Sequence, residues 1–226
     1  MTTTTTDPGP TGARFAQTGA ARKVAAGASA LFGVALFMTV ASIDVPHRAT
    51  DAELVHWWEQ SGNRIAGIVS GLSAISAAVL IAVVLNYLGR LKATERAPHW
   101  MAFARSMGAA VTAVWLVTGA ARATISRLVD VIDEPLPGVD VLRFATALNY
   151  ALLGLAGMGA LGLVILAVSV VVLRTGALGR WVGRVGIGCA VVVIGATLAQ
   201  VGAYVTLVAI AWAFCLAVAI WRAPED

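Results

Sequence analysis

The sequence predicts an all-α fold, a polytopic transmembrane helical bundle of about six helices, and three observations lead there. Apolar residues make up 59% of the 226 positions and charged residues only 12%, with a mean hydropathy of +0.83. A soluble domain carries roughly 25% charged residues, because water must wet its surface. Second, several long runs contain no Asp, Glu, Lys or Arg. They reach the ~20 residues that a rise of ~1.5 Å each needs to cross a ~30 Å hydrocarbon core. Third, the basic residues gather in alternate loops, as a chain threaded through a membrane requires.

The elements follow in order. Residues 1–21 are polar and Thr-rich, with Pro8, Gly9 and Pro10 breaking regular structure, and read as a disordered cytoplasmic tail. The first span covers about 24–43. The polar leader is too long and the apolar run too extended for a cleaved signal peptide, so a retained anchor is expected. Spans at about 65–88 and 102–121 follow, then a longer run at 144–173. As a helix that run would reach ~45 Å, so it must tilt or protrude. The last apolar region, Val182 to Trp221, would be ~60 Å long as one helix and should fold back. A break near Gly202 gives spans at about 182–201 and 204–221, and residues 223–226 form a short cytoplasmic tail.

With the N-terminus inside, the inner segments hold Arg14, Arg22, Lys23, Arg90, Lys92, Arg96, Arg105, Arg174, Arg180, Arg184 and Arg222. The outer ones hold only Arg48, Arg64, Arg122, Arg127 and Arg143. Positive residues remain on the cytoplasmic side, so both termini are expected there. Trp100, Trp181 and Trp221 fall at the inner interface and Trp57 and Trp58 near the outer one, the level where amphipathic rings anchor. The net charge of +4 therefore reflects loops held at a membrane rather than nucleic-acid binding. Small-xxx-small pairs, Ser29/Gly33, Gly67/Gly71, Ala156/Ala160 and Gly195/Ala199, permit the close helix packing that membranes favour. Cys189 and Cys215 lie inside apolar runs and read as packing residues.

Two polar regions interrupt this pattern. In the loop after the first span, Thr50 and Glu53 fit a capping box that starts a short helix from Asp51 to about Gln60. Such a helix would turn Leu54, Trp57 and Trp58 towards the membrane and lie at the interface. His47, His56 and nearby carboxylates do not match a closed metal-ligand spacing, so no metal is expected there.

The second region surrounds the outer end of the third span, with Arg122, Arg127, Asp130, Asp133 and Glu134. A charge at membrane depth usually faces the bundle or a wet cavity, and is paired. One reading makes Arg122 a snorkelling anchor with a carboxylate partner such as Asp44. The other is an outward-facing pocket lined by Arg122, Arg127, Asn149 and Gln200, able to hold an anionic headgroup or small acid through forked hydrogen bonds.

Several enzymes can be set aside. Paired-His haem binding needs imidazoles inside spans, whereas His47, His56 and His99 lie in loops or at a boundary. Serine proteolysis needs a base beside its nucleophile, and no span carries His or Lys. The glycines fit no phosphate-binding fingerprint. No catalytic residue and no cofactor are expected.

The run Leu173-Arg-Thr-Gly-Ala-Leu-Gly-Arg-Trp-Val-Gly-Arg-Val-Gly resembles the inner loop of a group of bacterial six-span integral membrane proteins of unknown function. Members of that group often carry Pro where this chain has Gly179. The excess of Arg over Lys, with abundant Ala, Gly and Val, also resembles actinobacterial usage. The resemblance implies six spans in a bacterial plasma membrane and adds no chemistry. The leading expectation is a non-enzymatic accessory or scaffold component, meeting the lipid bilayer and a membrane-protein partner or further copies of itself. The alternative is a small transporter or binder using the outward-facing pocket.

Overall fold

A computed structural model describes residues 19–43, 45–46 and 49–223. The expectations for residues 1–18 and 224–226, for Asp44 as a partner of Arg122, and for His47 lie outside these residues. The described chain forms an all-α bundle: α1 (Gly19–Ala41), α2 (Asp51–Glu59), α3 (Ser61–Leu88), α4 (Pro98–Asp130), α5 (Val139–Tyr150), α6 (Met158–Thr175), α7 (Arg180–Leu198) and α8 (Thr206–Trp221). A π-helical segment, Ala151–Gly157, joins α5 to α6 into one continuous helix, and 3₁₀ turns at Lys92–Arg96 and Gly202–Val205 link other elements.

Six helices are long and apolar enough to cross a membrane: α1, α3, α4, the α5–α6 helix, α7, and Gly202–Trp221 including α8. Each presents apolar side chains outward, among them Leu31, Leu72, Val117, Leu155, Val191 and Leu207. This belt makes the protein a multi-pass membrane protein in contact with lipid. Each span packs on the next along the chain, and α8 closes back on α1, so the six form a ring. Connections between antiparallel neighbours, short except for the α2-bearing segment between α1 and α3, produce this order directly. Phe32 and Trp115 stack across the ring at 5.7 Å between centroids, and Trp212, Met158 and Ile165 fill it alongside them.

Contact between spans depends on small residues. A Cβ on Gly71 would lie 2.5 Å from the Gly119 carbonyl oxygen, and one on Gly119 2.6 Å from that of Gly71. The α3 and α4 backbones therefore touch, as helices do where packing rather than water drives association. Ser29 donates to the Ala213 carbonyl at 2.8 Å, and Gly33 faces Phe214, so that small pair joins α1 to α8. Gly195, by contrast, faces open space. Cys189 and Cys215 are free thiols, both half-buried.

Several helices run past the lengths expected from hydropathy. Residues 19–21, assigned by sequence to the disordered tail, form the first turn of α1. The third span occupies 33 residues rather than 102–121, and the fourth 37, from Val139 to Thr175. At ~1.5 Å per residue these two reach ~50–55 Å, far beyond a hydrocarbon core. Hydropathy marks where a helix is oily, whereas backbone hydrogen bonding continues wherever a neighbour or water accommodates polar side chains. The excess length lies at the end opposite the termini, where α2, the end of α4 and α5 make a cap. Its own core contains Val45, Leu54, Trp58, Ile125 and Leu142.

Candidate functional site

The polar residues concentrate where the cap meets the ring. The capping box forms as expected: the Glu53 amide donates to Thr50 Oγ1 at 3.4 Å, and the Thr50 amide donates to Glu53 Oε2 at 2.8 Å. The Thr50 amide, together with the Thr50 hydroxyl that donates to the same Oε2 at 2.9 Å, holds the Glu53 carboxyl below its ordinary range. The orientation of α2 differs from expectation. Leu54 and Trp58 are buried in the cap core instead of facing the membrane, because Ile125 and Leu142 offer them an apolar surface.

Two arginines fasten α2. Arg64 Nη1 donates to the Trp58 and Glu59 carbonyls at 2.9 and 2.7 Å, filling acceptors that the helix end leaves open. Its Nε donates to Asp130 Oδ1 at 2.8 Å, tying α2, α3 and α4 together. Arg143 Nη2 donates to Asp51 Oδ1 at 2.5 Å and to the Ala49 carbonyl at 3.0 Å. Sequence reading missed both roles, since each partner lies on a different element. The helix start at Asp51 was the only available signal.

Beneath this cap lies Arg122, 6% exposed. Its Nη1 donates to the Thr39 carbonyl at 2.7 Å and to Ser70 Oγ. Ser70 Oγ in turn donates to the same Thr39 carbonyl at 2.6 Å. One guanidinium thus joins α1, α3 and α4. Gly67 makes this fit possible: a Cβ there would stand 3.2 Å from the Arg122 carbonyl and 3.1 Å from Ser126 Oγ. Among the described residues no carboxylate pairs with Arg122, and its Nε has no hydrogen-bond partner. The Tyr150 phenol lies within its electrostatic reach.

Of the residues expected to line an outward-facing pocket, Arg122 is buried, Arg127 and Gln200 are exposed, and Asn149 is half-buried with its Oδ1 unpaired. Gln200 adopts φ 60° at the end of α7 and closes that helix, with the Val201 amide donating to the Ala196 carbonyl at 2.8 Å. A cavity of about 110 Å³ does open at the capped end, but Pro46, Leu54, Arg143, Thr146, Ala147 and Tyr150 line it.

The chemistry of this arrangement is positional. Ser70 spends its proton on the Thr39 carbonyl and its lone pair on Arg122, which fixes the hydroxyl instead of activating it. His56 lies 3.5 Å from Glu59, with both side chains largely in solvent. Among the described residues no three His, Cys, Asp or Glu side chains come together as metal ligands. Compared with known proteins, the chain matches no family model, no curated protein and no solved structure.

Proposed function

We propose that this protein is a non-enzymatic accessory or scaffold component of a bacterial plasma membrane, with both termini in the cytoplasm. The observation that carries this reading is the fate of Arg122. Its guanidinium serves as a joint between three helices and is shut beneath the cap, where a substrate-binding cation would need access. Arg64 and Arg143 are likewise occupied by the protein itself. The orientation rests on the excess of basic residues at the termini end. The likeness of the Leu173–Gly186 run to inner loops of bacterial six-span proteins supports the same assignment.

Reporter tags after Asp226 and within the 49–60 segment test the orientation, and should occupy opposite compartments. Finding them on one side would overturn it. Replacing Arg122 with Gln tests the role: the scaffold reading expects lower stability with partner capture retained by the folded fraction. A second reading, an outward-facing binder of a small anion, is favoured by the cavity that Arg143, Thr146 and Tyr150 line. Native mass spectrometry of the purified chain separates the two, because a retained small acid selects the binder and a retained protein chain the scaffold.

A further inference from the structure

A groove of about 510 Å³ runs along the lipid-facing side of the α3–α4 contact. Leu85, Asn86 and Arg105 line it towards the termini end, and Gly108, Thr112 and Leu116 continue it towards the membrane interior. Gly108 accounts for the narrow helix contact at its floor, since a Cβ there would collide with Leu85 Cδ1. Ala82, Ala109 and Ala113 keep the walls low.

At its polar end the groove holds two unused groups. Among the described residues, Arg105 and Asn86 make no hydrogen bond or ion pair, and both are exposed. Arg105 rests against Gly89, with its Nη1 3.6 Å from where a Cβ would be. It lies seven residues into α4, ~10 Å from the helix start, within snorkelling distance of the headgroup level. The adjoining loop adds Lys92 and Arg96 against a single acid, Glu95.

We propose that this groove binds one anionic phospholipid from the leaflet at the termini end. The phosphate accepts forked hydrogen bonds from Arg105 and a further one from the Asn86 amide, while one acyl chain lies over Gly108 and Thr112 towards Leu116. Charge complementarity selects the headgroup: the planar guanidinium forks onto two phosphate oxygens, and with Lys92 and Arg96 nearby it favours a phosphate whose charge no choline cation balances. The low alanine and glycine walls select a chain rather than a bulky side chain of a partner helix. This site lies away from the cap and is independent of the role proposed above.

Native mass spectrometry of the full chain in mild detergent, titrated with phosphatidylglycerol and with phosphatidylcholine, tests it. The wild-type chain should retain one phosphatidylglycerol in clear preference to phosphatidylcholine. Arg105→Gln should reduce that preference about five-fold, the effect of one basic residue at an anionic surface, and Arg105→Lys should keep most of it. Ala113→Trp, on an exposed wall, should block retention of both lipids without lowering the melting temperature. Equal retention of the two lipids by the wild-type chain overturns the proposal. So does an unchanged preference in Arg105→Gln, or full retention in Ala113→Trp.

Discussion

Arg122 and Arg105 stand on one helix, about 25 Å apart along its axis, and meet opposite surroundings. Arg122 is buried under the cap with a backbone carbonyl and a serine hydroxyl as its partners. Arg105 lies exposed beside an open groove with no partner among the described residues. The residue type and the helix are the same, so the neighbours make the difference. At the capped end α1 terminates within reach of α4 and offers the Thr39 carbonyl, whereas at the other end α3 gives way to Gly89 and leaves the cation uncovered. A buried charge of this kind holds helices together. An exposed one at the interface is free to recruit.

The contrast can be broken by substitution, with the largest effect at Arg122. Arg122→Ala removes one of the two donors at the Thr39 carbonyl and the donor to Ser70 Oγ, and opens a void, costing about 2–4 kcal/mol. Thermal melting in detergent should show that loss, while Arg105→Gln melts like the parent. Equal melting of the two variants would erase the distinction. Gly71→Ala, next in size, forces a Cβ against the Gly119 carbonyl and should cost about 1–3 kcal/mol by pushing α3 away from α4. Cross-linking between cysteines placed on these helices would report the separation.

Arg64→Ala removes an ion pair to Asp130 and the bonds to the α2 carbonyls, a partly exposed arrangement worth about 1 kcal/mol. Its sharper signature is faster hydrogen exchange in α2, with the ring helices unaffected. The smallest effect is the pH response of the cap. Glu53 titrates below its ordinary 4.5 because Thr50 bonds favour the carboxylate. Its contribution is therefore complete above that ordinary value and is lost as the pH falls through the lowered one. Fluorescence of Trp57 and Trp58 should report fraying of α2 in acid, and Glu53→Gln should flatten the response.

Local rules made much of the molecule legible. Thr50 and Glu53 announced the start of α2, since a capping box involves only residues within one turn. Gly67 and Gly71 marked a small-residue face, and that face is the one that meets α4. For the candidate site, the rule that a charge at membrane depth faces the bundle was legible, but neither reading built on it, a snorkelling anchor or an outward-facing pocket, supplied the partners of Arg122. Thr39 and Ser70 are 83 and 52 residues away and lie on faces that no periodicity distinguishes from their neighbours. Arg127, Asn149 and Gln200 were grouped by height in the membrane alone, and height does not specify the direction in which a side chain leaves its helix.

By itself the sequence determined that this chain is helical and oily enough to cross a membrane with six helices, because run length and charge are properties of a segment alone. Only the tertiary structure decided that the spans close into a ring, that Leu54 and Trp58 turn inward, and that one arginine is locked while another stays open. Those outcomes depend on which surfaces distant segments bring within a few ångströms, and contact between segments is not written in the periodicity of either one.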